Sequence, residues 1–599
     1  MSIENIPNRK DVPKNLTWDL TTIFKNHAEF EKEFKQVSAM LPQVSNLTGK
    51  LKMDSKSLLY VVQTVLRLNR MFEKLYVYAQ LSNDIDTSNG STQTDMDKVE
   101  TLGTKVNKAQ SWFDFEIIEL GRQKIAQFIE EQPQLKQYER LFAVILKNEG
   151  HVLKPDEEKL LSGAANIFAS PEKIFGILDS SDFSFPTVPN EDGKIVKLSN
   201  GIYSSLLQSS DREVRKTAFQ KFYTVFDQFQ HTLAATLSTE VSVNNYQAEV
   251  HHFDSAREMA MHENEIPTTV YDTLIKSVNQ HLPLLHRYVA LRKKILNLSE
   301  MHMYDMYVPL AQVPKTNFTF NKGKQIVLDA LETMGDDYLK HVQEEFDNRW
   351  IDVVENQGKR TGAYSSGMYD TNPYVLLNWQ DNLDNIYTLI HETGHSMHSY
   401  YSSHNQPYQY GDYSIFVAEI ASTTNENILT DYLLENTADP EIKKYILSSY
   451  LEGFKGTIFR QTQFAEFENE IHQASQAGKA LTADFMNEKY LKLNQKYYGN
   501  QIISDPEIKL EWSRIPHFYY DFYVYQYATG FAAASNLATN LTSGNERDLQ
   551  NYLDYLKSGS SKTPIEIMQL AGVDMMDSSY LDNAFAKFAN RLDQLEDLL

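Results

Sequence analysis

Residues 387–401 read YTLIHETGHSMHSYY, and the rest of the chain is interpreted from this stretch outward. On an α-helix, His391 and His395 are four residues apart and project from the same face. Two imidazoles at that spacing can bind one divalent metal, and zinc suits nitrogen ligands. Glu392 lies one position round the helix, within reach of a water on such a metal. The stretch therefore predicts a helix that carries two ligands of a metal centre.

Three interpretations of the His-Glu-x-x-His pattern compete. With 16 His in 599 residues, a chance match is expected in roughly a few per cent of chains this long. A structural zinc site would be closed by four protein ligands, and without any Cys it would need only His and carboxylates, which is less usual. A hydrolytic zinc site needs three protein ligands and a fourth position for water. The residues favour this third interpretation.

The position of the third zinc ligand can be inferred from the spacing of residues that follow the two histidines. The metzincin pattern needs a glycine at position 398 and a histidine at 401, whereas this chain has His398 and Tyr401. A glutamate on a following helix is the other common solution, and FVAEIASTTNEN supplies Glu419 inside an apolar run, where an unpaired carboxylate is costly. Glu426 falls on the same helical face as a candidate partner for a histidine ring nitrogen, or as a solvated carboxylate. His398 is interpreted as a core histidine rather than a metal neighbour.

A second stretch, RIPHFYYDFYVYQYATGFAAA at residues 514–534, is rich in hydroxyl-bearing rings. If it is helical, one stripe carries His517, Tyr520, Val524 and Tyr527, with Tyr523 at its edge. Aromatic stripes are usually core, but several hydroxyls close together are hard to bury because each needs a partner. The alternative is a set of hydrogen-bond donors that face a reacting carbonyl.

Composition limits the fold class. The chain has 42% hydrophobic and 12% aromatic residues, with only 24 Gly and 18 Pro, a balance that favours packed, long helices over turn-rich β architecture. At 599 residues it exceeds the size of one compact core, so several lobes are expected. The absence of Cys excludes disulfides, thiol nucleophiles and cysteine zinc fingers.

Charge and hydropathy limit the partners. A formal charge of −23 argues against nucleic acid, which needs a basic surface. The first residues, MSIENIPNRKDVPKNLTWDL, lack the pattern of a signal peptide, and no run of 18 apolar residues predicts a membrane span. We expect a soluble cytoplasmic protein.

Two regions of the sequence, residues 183–198 and 350–379, lack the helical periodicity of the rest of the chain. In residues 183–198, two alternating runs flank the turn sequence NEDG and predict a hairpin, so we divide the chain into a helical lobe (1–198) and a catalytic domain (199–599). Residues 350–379 predict three short strands beside the metal-binding helix, one with a free edge to which an extended peptide could add. Within them, Lys359 and Arg360 are interpreted as a surface turn.

Together these motifs resemble a known family. HETGHSMHSYY, DYSIFVAEIASTTNE and HFYYDFYVYQYATG, with the upstream TGAYSSG and NPYVLLNW, look like oligoendopeptidase F, in the thimet-oligopeptidase group of zinc metallopeptidases. The resemblance implies a mostly α-helical, two-lobed, zincin-like fold with a deep central channel and a small β-sheet beside the active-site helix. It also implies one zinc ion per chain and cleavage of internal bonds in short peptides.

The resemblance also assigns roles by motif position. His391, His395 and Glu419 correspond to the metal ligands, and Glu392 to the general base. His517 and the tyrosines that follow it resemble the family's transition-state donors, which makes Tyr520, Tyr523 and Tyr527 the candidates. Two other functions remain open: a metallo-exopeptidase on the same scaffold, or a non-catalytic helical scaffold that retains a zinc site.

Overall fold

The protein is mostly α-helical. The computed structural model describes residues 6–314 and 317–599, and 71% of the chain is helical, which confirms the predicted fold class. The helices, in chain order, are α1 His27–Ser45, α2 Ser55–Asp84, α3 Gly90–Gln110, α4 Phe113–Glu131, α5 Glu139–Leu146, α6 Pro155–Gly163, α7 Ala165–Phe168, α8 Ser170–Ile177, α9 Asn200–Leu206, α10 Arg212–Val250, α11 Ala256–Glu263, α12 Thr268–Gln280, α13 Leu282–Ile295, α14 Phe320–Ala330, α15 Gly335–Asp347, α16 Leu383–Asn405, α17 Ile415–Asn436, α18 Pro440–Phe454, α19 Arg460–Gln476, α20 Ala483–Tyr498, α21 Tyr525–Thr542, α22 Glu546–Leu556, α23 Pro564–Leu570 and α24 Ser579–Asp597. Within the described ranges, no helix is both long and apolar enough to cross a membrane.

The chain forms two compact units, each built from three segments. The first contains Met1–Glu149, Thr316–Tyr432 and Leu537–Val573. The second contains Gly150–Lys315, Leu433–Asn536 and Asp574–Leu599. The sequence-based division of the chain at residue 198 follows the linear order instead, and it stays a prediction.

Both predicted β regions form small sheets. The hairpin pairs β1 Thr187–Pro189 antiparallel with β2 Ile195–Lys197. The second sheet, in the first unit, has the order β3–β5–β4, with β3 Ile351–Asp352 parallel to β5 Tyr374–Leu376 and β4 Tyr364–Ser366 antiparallel to it. Strand β4 is therefore an edge strand, as predicted for one strand of residues 350–379.

Helix α16 carries the His-Glu-x-x-His stretch and lies against this sheet. The Asn382 side chain caps it by accepting a hydrogen bond from the Asn385 N–H at 2.9 Å. Its apolar residues, among them Ile386 and Leu389, are completely buried. Ser396 on α16 meets Ser365 on β4 through a hydroxyl–hydroxyl contact of 2.9 Å. Core packing on one side thus leaves another face of α16 for the two histidines.

Candidate metal centre and catalytic groups

Three side chains of the first unit converge on one point. The Nε2 atoms of His391 and His395 are 3.2 Å apart, and Glu419 Oε2 lies 3.4 Å from the first and 3.5 Å from the second. Zinc bonds of about 2.0–2.2 Å at tetrahedral angles require ligand atoms about 3.3–3.6 Å apart. The three distances are therefore close to those of one face of a zinc tetrahedron, whose fourth corner would take a small molecule.

Gly394 allows Glu419 to reach the histidines. A Cβ atom at position 394 would lie 2.5 Å from the Ser422 Cα and 3.0 Å from the Ala421 carbonyl oxygen. Because both obstacles are backbone atoms, only glycine permits α17 to pack this closely on α16. The sequence analysis missed this role; a glycine in the middle of a buried helix, where it costs about 1 kcal/mol, was the available signal.

The environment of Glu419 differs from the one inferred from its apolar neighbours. Val417 and Ile420 are fully buried, but the Glu419 side chain is 56% exposed. The cost of burying an unpaired carboxylate therefore does not explain this glutamate. Its position follows from helical geometry, because it projects from the one face of α17 that turns toward the paired imidazoles.

Glu426 contacts the outer nitrogen of the first histidine. Glu426 Oε1 lies 2.8 Å from His391 Nδ1, so that an Nδ1–H donates to the carboxylate and Nε2 keeps a free lone pair. Burial acts to lower the pKa of His391, but the hydrogen bonds to Glu419 and Glu426 raise it to about 10. The contacts with His391 and His395 in turn lower the pKa of Glu419. The site favours positive charge between these atoms, and the donor set fits a divalent zinc ion.

Glu392 is buried beside the two histidines. Burial raises the pKa of its carboxyl group, and the positive charge of His391 and His395 opposes the rise. The backbone of Ser365, on edge strand β4, also acts to lower this pKa. Ser365, which the sequence analysis did not single out, thus links the sheet to the candidate base.

His398 is a core residue, the alternative that the sequence analysis favoured. Its ring is buried and stacks on Tyr413 at a centroid distance of 3.6 Å. Burial lowers the pKa of His398 well below its usual range. The ring therefore stays neutral and contributes packing.

The second stretch, in the second unit, is not one helix. A short 3₁₀ helix, Pro516–Tyr519, is followed by an irregular turn, and α21 begins only at Tyr525. The expected stripe is therefore wrong in part, since Val524 is fully buried and does not share an open face with His517. Asp521 has a φ angle of 42° and Phe522 one of 56°, left-handed conformations that break the helical path.

The four predicted rings of this stretch nevertheless lie together. The His517 ring centroid lies 5.6 Å from that of Tyr520, 6.5 Å from that of Tyr523 and 5.9 Å from that of Tyr527. The Tyr527 hydroxyl is 3.4 Å from His517 Nε2. Tyr520 is 46% exposed. Burial lowers the pKa of His517. The cluster brings several hydrogen-bond donors close together.

Comparison with known families now identifies the class of protein. The sequence profile described as Peptidase family M3 matches residues 205–587, more than half of the chain. The profile described as Oligopeptidase F matches residues 116–185.

Relatives match over nearly the whole length. The Group B oligopeptidase PepB of Streptococcus agalactiae is 48% identical over 592 residues, which cover 99% of this chain and 98% of that protein. Oligopeptidase PepF of Bacillus subtilis is 45% identical over 595 residues, which cover 99% of this chain and 89% of that protein.

Solved structures of similar proteins have the same fold over nearly the whole chain. Oligoendopeptidase-F from Enterococcus faecium has a TM-score of 0.74 at 42% identity, covering 96% of this chain and 99% of that chain. A solved structure from Chlamydophila abortus reaches a TM-score of 0.95 at 34% identity, covering 99% of this chain and 100% of that chain. Such relatives imply peptide substrates and a metal cofactor. The chain therefore belongs to peptidase family M3, within the oligoendopeptidase F group of metalloendopeptidases.

Proposed function

We propose that the protein hydrolyses internal peptide bonds of short, unstructured oligopeptides with one zinc ion per chain. His391, His395 and Glu419 would hold the ion, and Glu426 would orient His391. The observation that carries the proposal is the triangle of ligand atoms, with sides of 3.2, 3.4 and 3.5 Å, which is close to a face of a zinc tetrahedron. When bound, zinc acts as a Lewis acid that polarises a carbonyl group and lowers the pKa of a water molecule.

Glu392 is proposed as the general base. Its carboxylate takes the proton of the attacking water and then passes it to the amine that leaves the cleaved bond. Burial supports this role, because it raises the carboxyl pKa and so makes the carboxylate a stronger base.

The aromatic cluster is proposed to supply the donor that stabilises the oxyanion. The lowered pKa of His517 leaves its imidazole neutral at pH 7. The hydroxyls of Tyr520, Tyr523 and Tyr527 can each donate a hydrogen bond as well. Removing one donor of this kind typically costs about 3–4 kcal/mol of transition-state stabilisation. Phenylalanine variants of the three tyrosines, compared by kcat, would identify the one that acts.

The central test uses Glu392→Gln. The variant keeps the size of the side chain and the zinc ligands, so metal content by mass spectrometry should equal that of the wild type. Turnover of an end-blocked peptide of about ten residues should fall by roughly 10²–10⁴-fold, the contribution typical of a general base. Wild-type turnover by this variant would remove Glu392 from the mechanism.

The same peptide separates the two other functions. An exopeptidase needs a free terminus and would leave the end-blocked peptide intact, whereas an endopeptidase yields internal fragments that a zinc chelator suppresses. A non-catalytic scaffold would bind zinc and produce no fragments from either a blocked or a free peptide. Internal fragments that persist with chelator would contradict the metal assignment.

A further inference from the structure

The turn between the 3₁₀ helix and α21 holds an unfavourable conformation. Asp521 and Phe522 are consecutive non-glycine residues with positive φ, at 42° and 56°. Each such residue costs about 1–2 kcal/mol relative to the right-handed region. Two in a row persist only when the surrounding structure imposes them. Contacts outside the turn must therefore fix its shape.

Those contacts are made by Phe522. Its backbone N–H donates a 2.8 Å hydrogen bond to Glu468 Oε1, on α19. Its ring is buried and lies 4.6 Å from the His472 ring of the same helix and 5.8 Å from the Tyr271 ring of α12. The Tyr271 hydroxyl in turn donates to the Ala465 carbonyl of α19 at 2.6 Å. The turn is thus attached to α19 by both main chain and side chain.

Glu468 is an unexpected residue at this place. It is 0% exposed, and Oε2 accepts no hydrogen bond from any residue within 6–314 or 317–599. Burial raises the pKa of its carboxyl group to about 8, so the group is mostly neutral at pH 7. A leucine would fill the same space without the cost of a buried polar group. A side chain of this size can accept the hydrogen bond from the Phe522 N–H only if it carries a carboxyl or an amide group.

The turn determines where the flanking tyrosines point. Tyr520 immediately precedes the two left-handed residues and Tyr523 immediately follows them. A continuous helix would place Val524 on the stripe of His517, but the turn buries Val524 and leaves Tyr520 46% exposed. The Tyr523 ring lies nearly parallel to that of His517, at an interplanar angle of 13°.

We propose that Glu468 is a positioning residue for peptide hydrolysis: its buried carboxyl group holds the left-handed turn at Asp521 and Phe522 and thereby aims Tyr520 and Tyr523 as donors. The inference rests on the proposed role of these tyrosines. Glu468 acts through the Phe522 amide and does not itself touch substrate.

Two substitutions at one position provide the test. Glu468→Gln keeps an oxygen acceptor for the Phe522 N–H and carries no charge, so kcat on an end-blocked peptide should stay within about threefold of wild type. Glu468→Leu removes the acceptor, and kcat should fall roughly tenfold or more while KM changes less than about threefold, because donors to the transition state are misplaced. Equal loss in both variants, or none in the leucine variant, would overturn the proposal.

Loss of general stability is controlled by Leu451→Ala. Leu451 is fully buried on α18 in the same unit, and its truncation leaves the turn contacts intact. Measured at a temperature where all variants keep wild-type circular dichroism, the alanine variant should retain its kcat. If its kcat falls as far as that of Glu468→Leu, the effect is destabilisation and the positioning role is wrong.

A double-mutant cycle separates this inference from the proposed function. Tyr520→Phe and Tyr523→Phe are each made in wild-type and Glu468→Leu backgrounds. If Glu468 acts through one of them, the combined variant loses no more kcat than the worse single variant. If instead the kcat losses of the two single variants multiply in the combined variant, Glu468 does not act through these hydroxyls. If neither phenylalanine variant lowers kcat, both the donor role and the inference fail; if one does while Glu468→Leu is fully active, only the inference fails.

Discussion

The metal centre and the aromatic cluster are built in opposite ways. His391 and His395 lie on one regular helix, and their relation follows from four-residue spacing alone. Tyr520 and Tyr523 are even closer in sequence, but their directions depend on a left-handed turn that α19 holds through Glu468. A motif within a helix can be read from the chain, whereas a motif across a turn is set by residues far away in sequence.

Among the changes that probe this contrast, the largest effect is expected from changing the helix contact on which the metal centre depends. Gly394→Ala would place a Cβ atom 2.5 Å from the Ser422 Cα, so α16 and α17 must separate and move Glu419 away from the histidines. A displacement of about 1 Å can cost roughly a hundredfold in rate, and we expect at least this loss in kcat/KM, with reduced zinc content.

Its matched control is Gly453→Ala. Gly453 lies in α18, and a Cβ atom there meets nothing within 4 Å. The substitution should leave activity unchanged and stabilise the protein by up to about 1 kcal/mol, as in other helix interiors. Equal zinc content in the two alanine variants would show that the approach of α17 does not depend on Gly394.

A smaller effect, on metal affinity, is expected from Glu426, whose carboxylate binds the Nδ1 atom of His391. Glu426→Ala removes the acceptor of the 2.8 Å hydrogen bond from Nδ1, which leaves the imidazole free to rotate. Partners of this kind typically contribute 10–100-fold to metal affinity, and a chelator competition titration should show a loss of roughly that size. Glu435→Ala, at an exposed site on the same helix, should show none.

The contrast between the two regions also explains what the sequence could predict. Helix content, the hairpin at Asn190–Gly193 and the convergence of Glu419 with His391 and His395 follow from periodicity, turn chemistry and spacing, and the structure contains each of them. The left-handed turn was not predictable, because neither Asp521 nor Phe522 is a glycine, the residue that usually indicates positive φ. The contacts that impose positive φ here are made with α19, which is distant in sequence from the turn.

A second error concerns Lys359. Lys359 was expected at a surface turn, but its side chain is buried and pairs with Asp352 at 2.7 Å. Burial lowers the pKa of the lysine, and the Asp352 charge opposes that shift. The sequence showed a cation beside a glycine, while the partner that permits its burial lies on β3. Asp352 is close to Lys359 in sequence, but it also accepts a 2.8 Å hydrogen bond from Arg9 near the start of the chain, so the buried site as a whole depends on a distant residue.

The third prediction tests the electrostatics of the turn through pH. Glu468 has a pKa of about 8 in the folded protein against an ordinary value of 4.5, so the folded state binds the proton more tightly. Its contribution to stability is complete below pH 4.5 and is lost as the pH rises toward 8. Glu468→Gln removes this dependence, so its unfolding temperature relative to wild type should rise between pH 5 and pH 8, by the equivalent of at least about 1 kcal/mol.

Glu488→Gln is the control for that measurement. Glu488 is exposed and ion-paired with Lys492, which lowers its pKa, so its protonation changes only below pH 4.5. The difference in unfolding temperature between this variant and wild type should stay constant from pH 5 to pH 8. A parallel rise in both variants would assign the trend to the whole protein instead of to Glu468.

The smallest effect isolates the backbone of the turn itself. Asp521 has a φ of 42°, where glycine is unstrained and alanine is not. Asp521→Gly should therefore keep wild-type kcat and change stability by less than about 1 kcal/mol, because relief of strain is offset by the greater entropy of glycine in the unfolded chain. Asp521→Ala should be less stable than the glycine variant by about 1 kcal/mol, as judged by urea denaturation. An alanine variant that is more stable than the glycine variant would mean that residue 521 leaves the left-handed region without cost, in which case Glu468 would have no strained turn to hold.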